Sequence, residues 1–233
     1  MSPGAAIAIR LLLPVLASGC STDRQVYVDL PLTRLELPEP APRKFGTGPA
    51  SGEGFRLELT PDQTTTTPDP ERPRVLLEGN GQLHFDLQLP APVTVGMKVY
   101  GANLFGVHAK WSVFSPRHSG GRTSLALTAA HAQGNSDFDY SLDSHTEIKQ
   151  SLSDVAAIAG YRPHPNWLVF GGPFYSRLRY DGHYFSERGS DPDVDMDFAG
   201  DATLTGANLG LAFTPQNWLQ ITGEYSRARV EAG

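Results

Sequence analysis

The stretch QLHFDLQLPAPVTVGMKVY, residues 82–100, decides the fold. Leu83, Phe85, Leu87 and Leu89 alternate with Gln82, His84, Asp86 and Gln88. Val93, Val95, Met97 and Val99 then alternate with Thr94, Gly96, Lys98 and Tyr100. Successive side chains of a strand point to opposite faces, so each run predicts a strand with one apolar and one polar face. The next segment, Gly106–Phe114, repeats the pattern: Val107, Ala109, Trp111 and Val113 against Gly106, His108, Lys110 and Ser112.

Working outward, less regular alternation continues through 122–133, 147–161, 167–180, 199–213 and 218–230, with a bulge expected at Gly171-Gly172-Pro173. Upstream, Phe55, Leu57 and Leu59 alternate with Arg56, Glu58 and Thr60, giving nine candidate strands. Gly at 24 and Pro at 19 are frequent, and no long helix-period run occurs. An all-β chain of 233 residues, rich in turns, is the expectation.

Alternation alone does not say which face is inside. A soluble lipocalin-like barrel turns its apolar face inward, and a membrane barrel turns it outward. Three features favour the membrane. The polar face mixes charges with small residues, as a narrow filled lumen requires: His84, Asp86, Lys98, His108, Lys110, Gly96 and Gly106. Aromatics bracket turns, Tyr161 with Trp167 and Phe213 with Trp218, as interfacial girdles do. Connections alternate in length, with 162–166 and 214–217 short but 134–146 and 181–198 long and polar. Over residues 55–230 the chain resembles the small outer-membrane β-barrels as a class. That resemblance implies an antiparallel up-and-down transmembrane barrel of eight to ten strands, with short turns on the periplasmic side.

Asn166-Trp167-Leu168 leads to Tyr175-Ser176-Arg177-Leu178-Arg179, and Asn217-Trp218-Leu219 leads to Tyr225-Ser226-Arg227-Ala228-Arg229. Two strands leaving like turns in the same direction would carry such a repeat. With 162–166 and 214–217 periplasmic, the segment 218–230 ends near the external rim. The pattern therefore predicts either a missing closing strand or eight strands without residues 55–60, because single-chain bacterial barrels have even strand numbers.

Residues 1–20 read MSPGAAIAIRLLLPVLASGC. Arg10 precedes the apolar run Leu11–Ala17, which is too short to span a bilayer and fits the apolar region of a signal peptide. Leu16-Ala17-Ser18-Gly19-Cys20 resembles the lipobox of bacterial lipoproteins. The resemblance implies cleavage before Cys20, acylation of its thiol, and, with Ser21 following, sorting to the outer membrane. Residues 1–19 are then a signal peptide, 20–54 a Pro/Gly-rich periplasmic tether without a packed core, and 55–233 the barrel. The tether could bind a periplasmic partner.

Net charge is −6, and a chain starting at Cys20 carries 18 − 25 = −7. The acidity is diffuse and no basic block exists, which argues against nucleic acid; outer-membrane lipid is the expected partner. Cys20 is the only cysteine, so neither an internal disulfide nor a paired-cysteine zinc site can form. No catalytic, cofactor or metal residues are assigned. The seven histidines show no helical metal spacing, and His84 and His108 read as a lumenal hydrogen-bonded network. His118-Ser119 lies in turn chemistry between Pro116 and Gly120-Gly121. Asp191, Asp193, Asp195 and Asp197 lack the glycine and terminal glutamate of a calcium loop and read as a solvated loop. A non-enzymatic structural or interaction barrel is the leading expectation. A narrow channel, a lipid-modifying enzyme and a lipocalin-like ligand carrier are the alternatives, the enzyme only if a His–Ser–acid set converges at one rim.

Overall fold

The computed structural model describes residues 26–31, 37–39, 45–59, 74–90, 92–100, 104–114, 122–141, 144–188, 191–216 and 219–232. Among them every regular element is a strand. These are β1 (Val26–Pro31), β2 (Phe45–Leu59), β3 (Arg74–Gln88), β4 (Val93–Tyr100), β5 (Leu104–Phe114), β6 (Thr123–Ser141), β7 (Ser144–His164), β8 (Trp167–Arg188), β9 (Asp191–Gln216) and β10 (Leu219–Ala232). They form one antiparallel up-and-down sheet in chain order. The sheet is not closed: β1 and β10 are its edges, and no pairing among the described residues joins them.

The segments 82–89, 93–100 and 106–114 fall within β3, β4 and β5. The faces follow the alternation. Met97 is 44% exposed and Lys98 only 5%. Phe105, Val107, Trp111 and Val113 are exposed, while His108, Lys110 and Ser112 on the same strand are buried. No helix among the described residues covers the inward face, yet Ile148, Leu178 and Leu204 there are fully buried. The sheet must therefore curl so that its inward faces enclose one another. Enclosure weakens at the edge, where the inward residues Thr222, Glu224 and Ser226 of β10 are only half-buried.

Three expectations need correcting. First, 134–146 and 181–198 are not long loops: β6 runs to Ser141, β7 starts at Ser144, β8 runs to Arg188 and β9 starts at Asp191. The supposed acidic loop is a period-two strand, with Asp195 and Asp197 exposed and Met196 and Phe198 packed against the core. Second, the tether boundary at residue 55 falls inside β2, and β1 lies wholly within the stretch 20–54. Third, the ladder around Gly171-Gly172-Pro173 keeps its register, with Ala156↔Phe174 and Ala159↔Gly171 on either side of two skipped pairs. Proline has no N–H to give the ladder, and the Gly172 N–H donates instead to Asn208 Oδ1 at 2.9 Å.

The strands divide by length. β5, with 11 residues, matches the roughly 9–11 residues a tilted strand needs to cross hydrocarbon, and β4, with 8, falls just short of it. β7, β8 and β9 have 21, 22 and 26 residues and extend far beyond that span. We call the end bearing the 165–166 turn the near rim and the opposite end the far rim.

Candidate functional site

Outside, the sheet carries two zones. From the near rim upward, Tyr161, Ala159, Ala157 and Val155 of β7, Trp167, Val169 and Tyr175 of β8, and Phe213, Leu211 and Leu209 of β9 face outward. At the near rim Trp167 stacks on Phe213 with ring centroids 4.4 Å apart. Trp167 to Tyr175 is about 26 Å along the strand, or about 20 Å of height at a typical barrel tilt. Above that belt the outward residues turn polar: His131, Gln133 and Asn135 on β6, Ser153, Lys149 and Glu147 on β7, Arg177, Arg179 and Asp181 on β8. Their inward neighbours in this zone are Ile148, Leu152, Leu178, Tyr180 and Ala202. Along one strand, then, the outward surface passes from apolar to charged.

Inside, the near half has one polar wall. Asp86, Gly96 and His108 are direct cross-strand partners on β3, β4 and β5. Because position 96 has no side chain, Asp86 Oδ1 reaches His108 Nε2 at 2.9 Å across it. Lys98 and Lys110 are buried on the same wall, beside His84. Of the network expected from the sequence, register brings Asp86 and His108 into contact. His108 Nδ1, Ser124 Oγ and Thr128 Oγ1 are buried without a hydrogen-bond partner within the described chain, as is Asn208 Nδ2 on β9. The facing strands β8 and β9 present Leu168, Phe170 and Phe174, with Phe170 lying over its cross-strand partner Gly210 and Phe174 over Gly206. Ring-over-glycine pairs fill the gap a missing side chain would leave.

Leu37-Pro38-Glu39, read from sequence as tether, lies inside the near mouth. Glu39 takes both bonds of the Arg162 guanidinium, Nε to Oε1 and Nη2 to Oε2, each at 2.6 Å. Lys110 Nζ donates to the Glu39 carbonyl at 2.9 Å, and Ser112 Oγ contacts the Pro38 carbonyl at 3.4 Å. Pro38 sits where a side chain on Gly160 would be, and Leu37 packs on the apolar core. A bidentate pair between largely buried groups is geometrically specific. No period in the sequence announces this segment.

Cys20 and His118-Ser119 lie outside the described residues. Among the described residues no group of three or more His, Cys, Asp or Glu is arranged to hold a metal. His183 holds Asp197 at 2.9 Å and Asp195 at 3.4 Å on the far outer face. Sequence reasoning missed one histidine contact. His131 Nδ1 meets Ser153 Oγ at 3.0 Å, and its Nε2 meets the Gln133 amide at 3.1 Å, all on the outer face just above the belt. The two residues are 22 apart in the chain and only strand register brings them together.

No protein-family model, curated protein or solved structure matches the chain.

Proposed function

We propose that this chain is a lipid-anchored outer-membrane β-barrel with an occluded lumen, whose role is structural or one of interaction rather than conduction. The observation that carries the reading is the outward surface, apolar over about 20 Å of height from the near rim and charged above it, with Lys98 and Lys110 turned inward. A bare Lys facing mid-bilayer costs about 2–4 kcal/mol, so the inverted arrangement fits lipid outside. Occlusion is supported by Leu37–Glu39 in the near mouth and by the apolar cluster around Leu152, Leu178 and Leu204 toward the far rim. In a bilayer the β1 and β10 edges have to meet or be covered, since each unpaired backbone group costs several kcal/mol in hydrocarbon. Ten strands make β1 antiparallel to β10, so such a closure needs no parallel pair.

Insertion is tested by brominated lipid in reconstituted vesicles. Trp111 and Trp167 face outward within the belt and should be quenched. Unquenched tryptophans would move the chain to the lipocalin-like alternative. Planar-bilayer recordings of the same preparation should show no single-channel steps, and steady conductance would replace this reading with the channel. Mass spectrometry of the membrane-extracted protein should find a chain beginning at an acylated Cys20; an unmodified thiol would remove the anchor.

A further inference from the structure

We propose that Leu37–Glu39 is a strap with two positions, docked in the lumen in this structure and, in the second position, paired along β2 as a continuation of β1. The proposal rests on the membrane reading above and supplies a regulation of its occluded lumen. Leaving the lumen opens the near mouth, and the same movement covers an edge of the wall.

The edge is the first observation. β1 pairs only with Gly54–Leu59 of β2. Toward the near rim, Phe45–Glu53 pair with β3 on one side and, among the described residues, with no strand on the other. β10 does not suit this stretch. β2 and β10 are both even-numbered strands of an up-and-down sheet and so run in the same direction, whereas the pairs of this sheet are antiparallel. In hydrocarbon an edge of unpaired backbone groups is strongly disfavoured.

Register is the second observation. Five residues separate Pro31 from Leu37, and five separate Gly54 from Gly48. Continued without a bulge, the β1–β2 register therefore puts positions 37, 38 and 39 opposite Gly48, Thr47 and Gly46. The direction is antiparallel, as the sheet requires. The connection between the strands shrinks from residues 32–44 to residues 40–45, an ordinary length between paired elements. Five residues flank the segment on each side, and each flank reaches up to about 18 Å, enough to cross a narrow barrel's lumen from β5 and β7 to β2.

Three features make the lumen the resting position. Pro38 and Pro49 have no N–H, so a ladder through this stretch is short of donors. At position 39 opposite Gly46, Glu39 would join the row of Asp86, placing two carboxylates across a glycine, just as Asp86 now meets His108 across Gly96. In the lumen Glu39 instead takes two bonds from Arg162 at 2.6 Å, and its carbonyl accepts one from Lys110 Nζ at 2.9 Å. Neutralising Glu39 weakens the docked position and removes the repulsion in the paired one. Both effects move the strap toward the wall.

The test uses the full chain with Cys20→Ser, reconstituted in phosphatidylcholine vesicles. Cysteine pairs are bridged by a mild oxidant, and initial rates are read by mass spectrometry. Pro38→Cys with Ser112→Cys reports the lumen position, where Ser112 Oγ contacts the Pro38 carbonyl at 3.4 Å. Pro38→Cys with Thr47→Cys reports the wall position. Both bridges should form, and Glu39→Gln should raise the 38–47 rate relative to the 38–112 rate by about 30-fold or more. Pro38→Cys with Gly48→Cys is one residue out of register and on the other face, so it should bridge about tenfold more slowly than 38–47. An amine-reactive reagent should modify Lys110 about tenfold faster in the 38–47-bridged form than in the 38–112-bridged form, the effect of losing one charge-assisted contact.

A 38–112 bridge without any 38–47 bridge overturns the switch. So does equal bridging to positions 47 and 48, which marks an unpaired segment rather than a ladder. Equal Lys110 reactivity in the two bridged forms overturns the coupling of wall to mouth, and absence of the 38–112 bridge overturns the docked position. Tryptophan quenching is read on every sample. Quenched tryptophans with a failed 38–47 bridge fault the strap alone, whereas unquenched tryptophans remove the membrane reading and, with it, the hydrocarbon edge that drives the pairing.

Discussion

Glu39→Gln should open the near mouth of the lumen without unfolding the sheet. The substitution keeps the shape of the side chain but removes the charge that meets Arg162 twice at 2.6 Å. Glu39 is 8% exposed in its side chain and Arg162 22%, so the pair is mostly removed from water. Breaking one member of a buried pair costs about 3–5 kcal/mol. Here the cost is lower, because Arg162 reaches some solvent and keeps its Nη1 bond to the Pro165 carbonyl at 2.6 Å. About 2–3 kcal/mol remains, or roughly a 30- to 150-fold rise in the population with 37–39 undocked. The Lys110 and Ser112 contacts go to backbone carbonyls and survive the change, which is why detachment stays partial. The assay is alkylation of Pro38→Cys in a Cys20→Ser background, read as a rate with and without Glu39→Gln. A rate unchanged within about twofold would show that the ion pair does not hold the segment in place. A double-mutant cycle with Arg162→Gln should return a coupling of about 2 kcal/mol, well above that of exposed pairs.

Three further outcomes are expected. A fluorophore on Met97→Cys should be quenched by brominated lipid and one on Lys98→Cys should not, given exposures of 44% and 5%; the reverse would turn the sheet inside out. Gly96→Val should destabilise by about 2–4 kcal/mol in urea titration, because a Cβ at 96 would lie 2.5 Å from His108 Cε1 and 2.8 Å from Asp86 Oδ1 and force the pair apart; a loss under 1 kcal/mol would contradict that packing. Tyr180, on β8 beyond the belt, has its pKa raised from 10.0 by burial and then by Asp201, so its neutral form is favoured in the fold. That contribution is whole below about pH 10 and is lost as pH rises through the folded value, so Tyr180→Phe should flatten the fall in thermal midpoint above pH 10; an unchanged slope would assign the fall elsewhere.

Which parts were legible in the sequence follows from how far each physical signal reaches. The faces of β3–β5 were legible because strand period is two and a slip of one residue exchanges every side chain between the outward and inward faces. The far halves of β6–β9 were not, because there the exchange happens without a slip. Residues such as Leu178, Tyr180, Met196 and Phe198 stay inward while Arg177, Arg179, Asp195 and Asp197 face out, so the pattern reads as a soluble strand or, with an aspartate at every second position, as a loop. Length should have arbitrated, since regular alternation of aspartate with Val194, Met196 and Phe198 is strand chemistry whatever the solvent. Leu37-Pro38-Glu39 was out of reach for another reason. Its partners Lys110 and Arg162 are 71 and 123 residues away, and three residues cannot display a period. The His131–Ser153 contact belongs to the same class: each residue alone is unremarkable on a polar stretch, and only the β6–β7 register makes them neighbours. Contacts of this kind are written across strands rather than along them, so one face of one strand read alone cannot contain them.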